Sequence, residues 1–265
     1  MKRILSSAIL ASLSMAVAQA VDVGYFTDQG VPGNQALAIV ASGHTPVEIV
    51  DITTFDFTTV QVVMLNEASN EGFSNALINR LGDLDAYVGN GGVLVMHDRF
   101  VAFPDGVPGM HPFLLGQPSI QVQRDFNNDA DIDLLPAGEA AFPGLTNTSL
   151  DGGNSSSHGF GFATSLPLGA TAYMTRGGAP EHIVSFSYGY GLGSVYYSTI
   201  PLDFYLNGGG DEALDEVFTY VGVQSINAGL GQGPAIPEPG EYAALAGAGL
   251  LGFAVWRRCR RGRAA

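Results

Sequence analysis

The segment from Glu71 to Val88 places Phe73, Leu77, Leu81, Leu84 and Val88 at spacings of three and four, the pattern of a helix with one apolar face. Gly89-Asn90-Gly91-Gly92 stops it, and Val93 to Met96 follows at once as a fully apolar run. A helix that turns through glycines into a strand with no polar side argues for a parallel sheet covered by helices. Val21 to Phe26, Val47 to Asp51 and Val60 to Leu65 read as further strands, and Asn34 to Ser42 as a short amphipathic helix ended by Gly43. That order predicts an α/β fold: a single domain with an open, doubly wound, mostly parallel sheet of flavodoxin type. Later, Ile183 to Tyr188 and Ser194 to Thr199 read as paired strands around a Gly189-Tyr190-Gly191-Leu192-Gly193 turn. Asp211 to Val221 reads as a closing helix, with Asp211, Glu212, Asp215 and Glu216 near the end where the helix dipole favours them.

Charge narrows the partners. Between Asp22 and Leu230 there is no lysine, and only Arg80, Arg99, Arg124 and Arg176 stand against 23 carboxylates, a net of −19. The whole-chain value of −14 hides this, because Lys2 and Arg3 open the chain and five arginines between Arg257 and Arg263 close it. Nucleic acid is excluded as a partner of such a domain, since binding it requires Lys and Arg to neutralise phosphates. Divalent cations, cationic polymers and neutral glycans fit it better. The only cysteine, Cys259, lies in the arginine-rich tail, so the domain has no disulfide, thiolate metal site or cysteine nucleophile. Any chemistry must use oxygen and imidazole groups.

The two ends carry addresses. Met1-Lys2-Arg3 is a positive start, Ile4 to Val17 is largely apolar, and Ala18-Gln19-Ala20 is the small-x-small pattern that signal peptidase accepts. Residues 1–20 are therefore expected to be a signal peptide cleaved after Ala20, and 21–224 the domain. Residues 225–235 read as a glycine-rich linker. Beyond it, Pro237-Glu238-Pro239 precedes an uncharged stretch from Tyr242 to Trp256 and then the arginine cluster. That stretch is shorter than the roughly 20 residues of a spanning helix. The arginines would stay cytoplasmic and leave the acidic domain outside.

Residues 236–265, with Pro-Glu-Pro, apolar stretch and terminal arginines in that order, resemble the PEP-CTERM sorting signal. The resemblance implies recognition by an exosortase-type transpeptidase in a Gram-negative envelope and transient anchoring in the inner membrane. It also implies cleavage near the Pro-Glu-Pro and release or transfer to the cell surface or matrix, often in company with extracellular polysaccharide. Over residues 21–222, the Gly-Gly-strand segment and the paired late strands resemble the class I glutamine amidotransferase-like superfamily and its ThuA-like members. Catalytic members have a cysteine just after that strand. Here the segment is Met96-His97-Asp98-Arg99-Phe100, so glutamine hydrolysis through a thioester is excluded and no catalytic residue carries over.

Ligands of open parallel sheets bind beyond the carboxyl ends of the strands. Asp28, Gln29, Glu67, His97, Asp98 and Arg99 occupy those ends and form a candidate pocket for a hydroxylated ligand or a metal. His97, Asp98 and Glu67 are the candidates for acid–base work in a hydrolase acting on surface carbohydrate. The plainer alternative pairs Asp98 with Arg99 and lets His97 cap the loop. Asp125, Asn127, Asp129, Asp131 and Asp133 alternate like the first part of a calcium loop, but Ala130 stands where that loop needs glycine and Pro136 where it needs a bidentate carboxylate. Calcium is the one cofactor the sequence raises. Asp151 to Gly159 reads as an ordinary polar loop, without the elbow that would hold a serine nucleophile. The resulting expectation is an exported envelope or matrix protein, a non-catalytic binding or structural component associated with exopolysaccharide. A secreted hydrolase and a calcium-binding surface protein are the alternatives.

Overall fold

The computed structural model describes residues 20–101, 105–127, 131–152 and 157–231. The expected signal segment over 1–19, with Ala18, residues 232–235 of the expected linker, and the expected sorting tail with Pro237, Glu238, Pro239 and the 242–256 stretch lie outside the described residues. No helix among the described residues is long and apolar enough to cross a membrane.

The elements follow as β1 (Asp22–Asp28), α1 (Gln35–Ala41), β2 (Thr45–Glu48), β3 (Val62–Glu67), α2 (Asn75–Ile78), α3 (Leu81–Gly89) and β4 (Val93–Asp98). The middle of the chain adds β5 (Pro108–Met110), β6 (Gln121–Asn127), β7 (Ile132–Leu134), α4 (Pro136–Ala141), α5 (Asn147–Leu150) and β8 (Ser157–Phe162). Then come β9 (Thr171–Arg176), β10 (Ala179–Tyr190), β11 (Gly193–Ser198), α6 (Leu202–Leu206) and α7 (Glu212–Gly229). The described strands join one sheet, whose main path runs β2-β1-β3-β4-β11-β10-β8-β6-β5. The five strands from β2 to β11 are all parallel, in the flavodoxin order, as the alternation of apolar strands and helices predicts. From β11 onward the pairing is antiparallel, and β9 and β7 branch from β10.

The sheet is covered on both faces. On one, Val23, Met64, Val95 and Tyr196 pack with Ile39 of α1 and with Phe218, Val221 and Ile226 of α7. On the other, Val63, Leu65, Leu94, Met96 and Tyr197 pack with Leu77, Leu84 and Val88 of α2 and α3 and with Phe113 and Ile120. Successive side chains of a strand point to opposite faces, so the apolar run Val93 to Met96 supplies both cores at once.

Three sequence readings change. The single helix expected over Glu71 to Val88 is two, because Asp28 accepts the Ser74 amide and the Ser74 hydroxyl caps Leu77, which starts the helix at Asn75. The expected polar loop at Asp151 to Gly159 ends in strand: Ser157, His158 and Gly159 belong to β8. The linker expected from residue 225 is helix up to Gly229, and α7 does not stop at Val221. Its small residues let the helix close on the sheet, since a Cβ at Gly229 would lie 3.0 Å from Val95 Cγ2, and Ser194 Oγ donates to Gly229 O at 2.6 Å. Ile226 is 0% exposed. Ile226→Ala should therefore cost about 2–5 kcal/mol in urea unfolding, the loss of a core side chain, whereas a linker position would cost nothing measurable.

Candidate functional site

At the carboxyl ends of β1, β3 and β4, Asp28 stands opposite Glu67 and Glu67 opposite Asp98. The preceding residues form a second row, Thr27, Asn66 and His97, with Ser198 of β11 beside His97. One register step turns each row to the opposite face of the sheet. The three carboxyls face the side of α2 and α3; Thr27, Asn66 and His97 face the side of α1 and α7. The candidate set His97, Asp98 and Glu67 is thus divided, with the imidazole on one side of the sheet and both carboxyls on the other.

Each carboxyl is buried and holds backbone. Asp28 Oδ2 accepts from Ser74 N at 2.7 Å, and Glu67 Oε1 accepts from Ser69 N at 2.6 Å. Asp98 Oδ1 accepts from Phe100 N and Val101 N at 2.9 and 3.0 Å. Its Oδ2 accepts from the Tyr197 hydroxyl at 2.6 Å and lies 2.7 Å from His111 Nε2. Burial pushes Glu67 up to about 10 against the pull of the Ser69 amide, and the charges of Asp28 and Asp98 add to the rise. Burial also works to raise Asp98, yet His111, Tyr197 and the Val101 amide together hold it below the usual carboxylate value.

His97 is 0% exposed, and burial drives it down to about 3, so the ring is neutral at ordinary pH. Its Nε2 lies 3.0 Å from Ser225 Oγ, which itself donates to Gly222 O, so Nε2 is the donor. His97 therefore docks α7 onto the sheet rather than capping a loop. Arg99 does not pair with Asp98: it grips Asp203 of α6 through Nε and Nη2 at 3.1 and 2.7 Å. Gln29 is exposed, in the left-handed region at φ 57°, and donates through Nε2 to Gly72 O. His111, Tyr197, Ser69, Ser74 and Asp203 complete this polar network, and nothing in their spacing announces it. Only long-range register brings them to the strand ends.

The acidic stretch at 125–133 is parted between β6 and β7. Asp125 Oδ2 is taken by Arg176 at 2.6 Å, and Asp133 accepts from Asn147 Nδ2 at 2.6 Å and from Gly178 N at 3.3 Å. Asp131 O accepts from Gly177 N, Asn127 pairs through its backbone with Ser157, and Asp129 lies outside the described residues. Among the described residues no group of three or more His, Cys, Asp or Glu is placed to hold a metal ion. His158 is also buried; its Nδ1 lies 2.8 Å from Arg99 O, and burial lowers it to about 3. At the other end of the sheet, before β3 and β4, a groove of about 460 Å³ is lined by Asp56, Thr58, Gln61, Asp83 and Asn90 over Phe57 and Tyr87.

No protein-family model and no curated protein matches the sequence. Among solved structures, the chain is similar to the cytoplasmic protein STM3548 from Salmonella typhimurium, with a TM-score of 0.47 and 10% identity over 77% of this chain and 98% of that one. A ThuA-like protein from Parabacteroides merdae aligns with a TM-score of 0.44 and 11% identity over 83% of this chain and 93% of that one. The exo-β-1,4-mannosidase Op5Man5 from an Opitutaceae bacterium gives 0.42 and 13% over 83% of this chain and 37% of that one.

The two low histidines set an acid limit on stability. In the unfolded chain they take up protons below about pH 6.5, whereas His97 and His158 in the fold refuse them down to about 3. Stability should fall as pH drops through that window, by up to about 1.4 kcal/mol per pH unit for each histidine. Urea midpoints measured from pH 7 to pH 4 check this; a flat profile contradicts it.

Proposed function

We propose that this chain is an exported cell-envelope or extracellular-matrix protein whose α/β domain is a non-catalytic binding or structural component associated with exopolysaccharide. The observation that carries the non-catalytic reading is the fate of His97, Asp98 and Glu67. All three are 0% exposed, they are divided between two faces of the sheet, and they are bonded to Ser225, to loop amides and to Tyr197. A general acid or base must reach the proton it moves, directly or through one water. These groups reach only the protein's own backbone and side chains.

The export reading rests on the sequence: seven of the eleven basic residues gathered at the two extremities, and a lysine-free acidic body between them. In it, signal peptidase removes residues 1–20 and an exosortase acts near Pro237-Glu238-Pro239. Neutral glycan is favoured by surface chemistry. An acidic domain repels anionic polymers, while Asp56, Thr58, Gln61 and Asn90 offer the donors and acceptors that sugar hydroxyls require.

A panel of envelope glycans, assayed for both binding and turnover, separates this reading from that of a hydrolase. Saturable binding without turnover is expected. It should be weakened several-fold by Asn90→Ala in the groove and left unchanged by His97→Ala. Turnover abolished by His97→Ala in a variant that keeps its cooperative urea unfolding would establish the hydrolase instead. Intact-mass measurement from the native host should give a polypeptide starting at Val21 and ending near Pro239. A full-length chain in the cytosol, uncut at both ends, would overturn the export reading.

A further inference from the structure

The crevice between β1 and β3 is where the strand order of the parallel sheet reverses, since β2 lies beyond β1 on one side and β3 on the other. Open α/β sheets take their ligands at such a point. Here residues 68–74 lie against it, held by four side chains. Glu67 accepts from Ser69 N, Asp28 accepts from Ser74 N, Gln29 donates to Gly72 O, and Arg124 Nη2 donates to Asn70 Oδ1 at 2.9 Å. Two of the four ties are therefore made by Asp28 and Glu67.

These two carboxyls are neighbours in register on one face, 2% and 0% exposed. Among the described residues neither takes part in an ion pair. Arg99 is engaged by Asp203, and Arg176 by Asp125; Arg124 is engaged by Asp105 and by the carbonyls of Arg99 and Phe100. The titratable groups that face the pair are Asp98 from β4, with His111 and Tyr197 beyond it. With one more carboxylate beside them and no arginine paired to either, two ionised groups would repel in a site shielded from water. A single proton turns that repulsion into a short O–H···O⁻ bond.

We propose that Asp28 and Glu67 hold one proton between them, and that this proton latches residues 68–74 over the switch-point crevice, so that its removal opens the crevice. Glu67 Oε2 is assigned the proton: its other oxygen accepts from Ser69, no donor reaches Oε2, and Asp28 is its neighbour in the same register row. Deprotonation leaves two adjacent anions. Separating them requires the strand ends and the amides of Ser69 and Ser74 to move apart. The latch is closed at neutral pH and opens in alkali, since Glu67 gives up its proton only near pH 10.

Infrared spectroscopy of the full-length chain carrying ¹³C-labelled glutamate, read beside amide hydrogen exchange of the 68–74 segment, tests this. A protonated glutamate carboxyl band is expected at pH 7, absent from Glu67→Gln. As the band disappears on raising the pH, protection of the 68–74 amides, corrected for intrinsic exchange, should fall about tenfold or more while that of β3 and β4 holds. Glu67→Gln, whose amide donates the same bond at every pH, should keep its protection in alkali. If that variant does not fold, Asp28→Asn serves: with the neighbouring charge gone the band should disappear at a lower pH than in the unaltered chain, and protection should be kept, since the introduced amide can donate to ionised Glu67. No protonated band at pH 7, a band that survives Glu67→Gln or is unmoved in pH by Asp28→Asn, or protection that ignores its loss overturns the latch.

Discussion

The period of two along a strand decides what the carboxyl end of this sheet can be. Because the carboxyls of Asp28, Glu67 and Asp98 occupy one register row and Thr27, Asn66 and His97 the next, the sheet itself stands between the imidazole and the carboxyls. Each row then finds partners on its own side. The imidazole row docks α7 through Ser225 and α1 through Thr27 and Gln35. The carboxyl row collects loop amides at Ser69, Ser74, Phe100 and Val101. Polar residues that read as a reactive cluster in one dimension become two sets of structural ties in three.

The same division of labour explains the distribution of charge. The four arginines of the domain all point inward, their side chains 8–16% exposed, and each fastens chain to chain. Arg80 reaches the carbonyls of Ile52 and Phe55, Arg99 grips Asp203 on α6, Arg124 holds the Arg99 and Phe100 carbonyls, and Arg176 joins Asp125 to Ser157. With every arginine of the domain committed to anchoring, the charge of the outer surface is left to carboxylates. Such a surface repels polyanions and keeps the molecules apart from one another.

The parallel half of the fold is legible in the sequence because its strands are continuous apolar runs separated by an amphipathic helix, a pattern that burial on both faces imposes. The antiparallel half is not. In β6 the inward residues are Val122 and Arg124, and in β8 two of them are glycines, so apolar alternation never surfaces. Gly159 is small because β6 passes close by, with Gln123 O where a Cβ would sit at 2.3 Å; composition alone presents such a residue as loop. Likewise the Ser225 to Gly229 segment reads as linker for the feature that lets it pack, its small side chains under the sheet. At the strand ends the sequence identifies the polar positions correctly but not their facing, since facing depends on strand register and on partners such as His111 and Asp203 far along the chain.

Burial of the strand-end groups is therefore the point on which function turns. Acylation of histidine rings by a small water-soluble reagent, mapped by mass spectrometry on the native protein, reads it directly. Of the five histidines, His182, whose side chain is 29% exposed, should react readily, while His44, His97, His111 and His158 should resist until the protein is unfolded. Prompt modification of His97 in the folded state would contradict a sealed, internally bonded strand end and would restore it as a candidate for chemistry.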